Sequence, residues 1–147
     1  MTSPDIRLLG PRDAHVLDHV APGVFDNEID PELTEEFLAD PRHHLAVAIV
    51  DGVVVGMASA VHYVHPDKAP QLFINEVGIA PSHQGRGLGR QLVDRLVRLS
   101  MELGCTEAWV LTDRSNTVAQ RLYAGAGAAA PEECIMYTIH NVTITAG

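Results

Sequence analysis

Residues 71–112 carry the pattern that most restricts how this chain folds. An apolar run, QLFINEVGI (71–79), leads through Gly85, Gly87 and Gly89 into a stretch where Leu88, Leu92, Leu96, Leu99 and Leu103 recur at steps of 4, 4, 3 and 4. That recurrence is one apolar stripe of an α-helix, and Gly104 stands where the helix should end. A second apolar run, TEAWVLT (106–112), follows. Strand, helix and strand in this order form a crossover unit, whose right-handed connection makes the two strands parallel neighbours.

The segments before it are of another kind. HLAVAIV (44–50) and VVVGMASAVHYV (53–64) flank Asp51-Gly52, a two-residue hairpin signal. IRLL (6–9) reads as a short strand. Pro11 opens a helix predicted to run to about Val20, where Pro22 and Gly23 break it. PELTEEFLA (31–39) reads as a second helix, stopped before Pro41. Beyond the crossover, NTVAQRLYA (116–124) is a helix with Ser115 or Asn116 as its cap, and CIMYTIHNVTIT (134–145) closes with strand pattern. The predicted order is β-α-α-β-β-β-α-β-α-β. This is an α/β (α+β) fold in a single domain, 1–147, with a mixed central sheet of about six to seven strands and helices on both faces. Its 147 residues suffice for one real core.

Composition excludes several functions. No apolar run approaches the ~20 residues of a membrane helix, and MTSPDIRLLG is no signal peptide. Cys105 and Cys134 have no second pair, so neither a disulfide framework nor a zinc site is suggested and a reducing, cytoplasmic setting is expected. The histidines (His43, His44, His62, His65, His83 and His140 among them) show no zinc-helix spacing, and no metal is expected. Asn141-Val142-Thr143 matches a glycosylation signal, without meaning where there is no secretory route. A formal charge of −9 argues against nucleic acid and favours a cationic partner. Seven acids and no base fall in DNEIDPELTEEFLAD (26–40), either a solvated face or a rim that attracts a polycation.

The glycine turn suggests a phosphate. A helix N-terminus offers unpaired N–H groups and a partial positive charge, glycines bring the backbone close to a ligand, and Arg86 and Arg90 add charge. A nucleotide P-loop is excluded because Gly-Lys-Ser/Thr is missing. The dinucleotide fingerprint fails because Arg90 stands where its third glycine belongs.

What the turn does match is Q-x-x-G-x-G, in Gln84-Gly85-Arg86-Gly87-Leu88-Gly89. This resembles the coenzyme A pyrophosphate loop of the GNAT superfamily of acetyl-CoA-dependent N-acetyltransferases. A second match follows: NTVAQRLYAGAG fits N-x-x-A-x-x-L-Y-x-x-x-G with Asn116, Ala119, Leu122, Tyr123 and Gly127. The resemblance is tight over 72–127 and loose over the first 60 residues. It implies acetyl-CoA as co-substrate, held by the turn from Gln84 to Arg90 and by Asn116, Ala119 and Tyr123. It also implies a homodimer with the final strand or its neighbours at the interface.

Acetyl transfer to an amine needs a base, because an alkylamine is protonated at neutral pH. It also needs a donor where negative charge develops on the carbonyl, and an acid for the departing thiolate. Glu76, an acid inside an apolar strand, is the candidate base, with burial expected to raise its pKa; it reads otherwise as a strand glutamate facing solvent. Gly78 marks a bulge or a close backbone approach. The resemblance implies a bulge at this level that splays the strand from its neighbour and admits the pantetheine arm against Val77 and Ile79, with the Val77 N–H as oxyanion donor. Tyr123 reads on spacing alone as a core tyrosine; its place in the second motif implies the acid, with Tyr137 and Tyr63 as substitutes.

For the amine, VVVGMASAVHYVHP, NEVGIAP, Asp113 and Glu132-Glu133 resemble the aminoglycoside 3-N-acetyltransferases. The expected substrate is then the 3-amine of a compact polycation, contacted by Asp26, Glu76, Asp113 and Glu133. A polyamine, another small metabolite amine or a protein N-terminus is the second reading, and a module that binds acyl-CoA without turnover the third.

Overall fold

The computed structural model describes residues 3–141. Five strands form one sheet in the order β1-β2-β3-β4-β5: β1 Asp5–Leu8, β2 His43–Val50, β3 Val53–Tyr63, β4 Gln71–Ile79 and β5 Ala108–Val110. The first four pair antiparallel and β5 joins β4 in parallel, as the crossover requires. The Asp51-Gly52 hairpin is present, with both residues at positive φ, the backbone that a right-twisted two-residue turn needs.

Three α-helices flank the sheet: α1 Pro31–Ala39, α2 Leu88–Glu102 and α3 Thr117–Gly125. The leucine stripe of α2 lies in the core, with Leu92 and Leu96 fully buried. Truncating either to alanine would cost about 2–5 kcal/mol. α2 faces the side of the sheet that carries Gly56, where a Cβ would stand 3.3 Å from Leu92 Cδ1. α1 lies on the opposite side, with the Phe37 ring 5.2 Å from that of His43. Asp30 caps α1, its Oδ1 accepting from the N–H groups of Glu32 and Leu33 at 2.9 and 3.0 Å.

The structure corrects the sequence reading at both ends. The helix expected from Pro11 is only a 3-10 turn, Ala14–Asp18. After it, Val20 bridges Val54, Ala21 N–H donates to Val54 O and Val54 N–H donates to His19 O. The segment thus takes the free side of β3 beyond the end of β4, satisfying backbone groups that would otherwise lie bare. At the other end, the strand expected over 134–145 is absent from its described part, 134–141, where Ile135, Met136, Tyr137 and Ile139 are 79–89% exposed. Residues 142–145 lie outside the described residues. The sheet therefore has five strands among the described residues rather than six or seven. No helix among them is long and apolar enough to cross a membrane.

Candidate active site

The site is set by how β4 ends. β4 pairs with β5 only at Leu72, Phe73 and Ile74, after which β5 leaves and β4 runs on to Ile79. The register against β3 slips at the same point: Ala60 faces Ile74 and Ser59 faces Glu76, so Asn75 is an extra residue. A bulge of this kind reverses the alternation of the strand. Leu72 and Ile74 point into the core, and plain alternation would send Glu76 after them. The bulge instead turns Glu76 to the opposite face and puts Val77 and Ile79 on the α2 side, opposite Ala58 and Gly56.

The backbone is turned as well. Ala80 N–H donates to Val55 O, and Ile79 O accepts from Gln84 Nε2 at 3.1 Å from outside the sheet. Alternation then points the backbone groups of Val77 and Ile79 away from β3, into the gap that β5 has left. The gap is a free strand edge where an extended polar chain can pair.

Gly78 provides a close approach rather than the bulge. A Cβ there would collide with the carbonyl oxygen of Val24, and one on Gly23 would stand 2.9 Å from Pro81 Cδ. The loop around Gly23 and Val24 is thereby clamped onto the last turn of β4. It carries Asp26 to the rim of a cleft of about 390 Å³ whose lining includes Glu76, Val77, Gly78, Met57 and Gln84, with no basic residue. Glu76 is exposed in this cleft, so the burial expected for it is absent.

Other expected contacts fall elsewhere. Asp113 is exposed after β5, and Glu133 pairs with Arg114 at the surface; neither lines the cleft. The acidic segment 26–40 divides its work: Asp26 faces the cleft, Asp30 caps α1, and Asp40 binds Arg42, whose backbone N–H holds the Asp40 carboxyl below its ordinary pKa.

The glycine turn has two physical causes. Gly85 and Gly87 have φ of 76° and 78°, and a Cβ on either would meet no protein atom within 4 Å. Their left-handed backbone needs glycine and leaves open space at the N-terminus of α2, where Gly87 caps the helix without a side-chain bond. Gly89 instead makes room for α3, its Cβ position lying 3.4 Å from Leu122 Cδ2. Leu88 is a core residue, so only its backbone is available to a ligand. Arg86 is exposed and makes no ion pair among the described residues. Arg90 binds Asp94 through Nε at 2.9 and 3.1 Å.

α3 packs beside α2. Asn116 caps it, Oδ1 accepting from Ala119 N–H at 3.0 Å, which leaves the Asn116 amide NH₂ for another partner. Tyr123 is half-buried, and burial pushes its phenol pKa up, keeping the proton on. Tyr137, a substitute on sequence grounds, is exposed on the C-terminal segment.

The described residues thus bring together a strand edge opened by splay, a helix N-terminus with no side-chain cap and a cleft lined by Asp26 and Glu76. The chain matches the acetyltransferase (GNAT) family over residues 13–128, and it belongs to that family. It is an N-acetyltransferase. It is 33% identical to the aminoglycoside N(6′)-acetyltransferase type 1 of Salmonella typhimurium over 100 residues, 64% of this chain and 69% of that protein. Against an uncharacterized N-acetyltransferase of Mycobacterium tuberculosis the identity is 28% over 112 residues, 74% of this chain and 69% of that one. Among solved structures, aminoglycoside N-acetyltransferase AAC(6′)-Iy in complex with CoA superposes with a TM-score of 0.73 at 27% identity, covering 94% of this chain and 95% of the other. The same enzyme has also been solved with a bisubstrate analog, CoA-S-monomethyl-acetylneamine. The aminoglycoside acetyltransferases among these relatives are named for the 6′ position, so the expectation of a 3-amine finds no support among them.

Proposed function

We propose that the protein transfers an acetyl group from acetyl-CoA to a primary amine of a small polycation, with aminoglycosides as the leading class and the 6′-amine as the position. The observation that carries this reading is the cleft in which Asp26 and Glu76 stand together, with no basic residue in its lining, beside the splayed edge of β4. Carboxylates on two sides of one cleft attract an amine with several positive charges and leave one free to act on the reacting nitrogen.

The residues fit coenzyme A. The open backbone at Gly85 and Gly87, the N-terminus of α2 and the Arg86 guanidinium suit a pyrophosphate. The outward backbone groups of Val77 and Ile79, with the amide of Asn116, suit the amide-bearing arm. Bound there, acetyl-CoA supplies the activated acetyl group as a thioester.

Each residue then has one task. Glu76 accepts the proton of the ammonium, directly or through a water, so that the nitrogen attacks as a free amine. Val77 N–H donates to the carbonyl oxygen as its charge grows. Tyr123, a phenol protonated at neutral pH whose pKa burial raises further, gives its proton to the departing sulfur and regains one, through solvent, from the nitrogen as the amide forms. Asp26 binds a second ammonium and orients the substrate.

The test is thiol release from acetyl-CoA against aminoglycosides, linear polyamines and N-terminal peptides, with the product located by mass and NMR. Turnover of aminoglycosides with the acetyl on the 6′-amine is expected. Turnover confined to polyamines or peptides would move the substrate class. Coenzyme binding without turnover of any amine would leave a binding module.

A further inference from the structure

Beside the cleft, one face of the sheet is left exposed among the described residues, and its side chains are of one kind. α1 and the loop after the 3-10 turn cover this face over β2 and the first part of β3, where Leu45, Val47 and Met57 are buried. Beyond them, Tyr63 on β3, Phe73 on β4 and Trp109 on β5 make a continuous aromatic surface. The Phe73 and Trp109 centroids lie 4.4 Å apart, and the Tyr63 and Trp109 rings are near parallel, 11° apart in plane at 6.5 Å. Trp109 is 37% and Tyr63 43% exposed. A cross-strand Phe–Trp pair strengthens β4–β5 pairing by itself; a third ring that leaves all three half-wet does not.

The bulge ties this surface to the cleft. Because Asn75 is extra, Phe73 and Glu76 share a face, at about 7 Å along the strand, two steps of ~3.3 Å. We propose that Tyr63, Phe73 and Trp109 are a stacking platform of the acceptor site, taking the C–H face of a saccharide ring whose amine lies at Glu76. The platform selects amino sugars over linear polyamines. One six-membered ring with an exocyclic amine matches the step of about 7 Å from Phe73 to Glu76, and the aromatic row continues through Trp109 and Tyr63 for a second ring. Tyr63 and Trp109, exposed together on one face among the described residues, are a standing cost in water, relieved by a ligand ring that has apolar faces and polar edges. A flexible polyamine offers no such face. The inference rests on the proposed amine acetylation and names the substrate within it.

Trp109 is the single tryptophan of the chain, so the platform reports on itself. With the full chain and saturating coenzyme A, titration with neamine should change Trp109 emission saturably, and spermidine at equal concentration should not. In turnover, Trp109→Leu should lower the ratio of kcat/KM for neamine to that for spermidine by about tenfold. Trp109→Phe should restore most of it, separating lost stacking from lost packing. An emission that ignores neamine, or a ratio unmoved in Trp109→Leu, overturns the platform. Emission that responds to neamine without acetylation keeps the platform and sinks the acetylation; acetylation with neither response does the reverse.

Discussion

At Glu76 an acidic side chain stands exposed in the lining of the cleft, where the proposed ammonium would meet it without a desolvation barrier. Glu76→Gln keeps the shape and removes the proposed base. It is expected to lower kcat by about 10²–10⁴-fold, with coenzyme A binding by calorimetry unchanged; an unchanged kcat would return the proton to another group. Gly87→Ala tests the turn. At φ of 78° an alanine costs about 1–2 kcal/mol and puts a methyl where the turn is bare. The expected result is a KM for acetyl-CoA raised about tenfold with kcat little changed. Asn116→Ala removes the cap of α3 and should cost about 1 kcal/mol in denaturant unfolding.

At the scale of elements, the crossover unit and the hairpin were legible because each has a local cause: a leucine stripe, a glycine turn, an Asp-Gly pair. The facing of Glu76 was not. Strand faces alternate, but the sequence does not mark which face is covered, and nothing in QLFINEVGI marks Asn75 as the extra residue. Gly78 did signal a close approach, but not that its partner would be Val24, remote in sequence. The tail from Cys134 has strand alternation and no strand, because alternation states a readiness to pair and not the presence of a neighbour. Trp109 and Phe73 drew no attention for the same reason: side chains on separate strands become one surface only once the register is known. The clamp is tested by Gly78→Ala. Its methyl would drive the Val24 loop off β4 at about 1–3 kcal/mol, lowering Tm by roughly 5 °C. The KM for the amine should rise more than that for acetyl-CoA, since Asp26 rides on the displaced loop.

For the whole molecule, the charge of −9 attracts cations, and a histidine pair away from the cleft governs acid stability. His44 Nε2 and His62 Nδ1 share a hydrogen bond of 2.8 Å with their rings stacked at 5.1 Å. Burial, and then the neighbouring His62, holds the His44 pKa down at about 4, and burial lowers His62 as well. The unfolded chain takes up a proton on His44 near pH 6.5 and the folded chain only near 4. The His44 contribution to stability is therefore whole above pH 6.5 and falls as the pH drops toward 4, by about 3 kcal/mol. Urea unfolding across that range should show the slope, and His44→Leu should flatten it.

The clamp also orders the assembly of the two halves of the site. The turn from Gln84 to Arg90 follows β4 directly and forms with its own helix. The side bearing Asp26 is held by contacts of the segment from His19 to Val24 with β3 and β4, which are remote in sequence, so it is expected to form after the local turn. Denaturation should run this order backwards, so that a protein in mild urea still retains coenzyme A when it no longer distinguishes one amine from another.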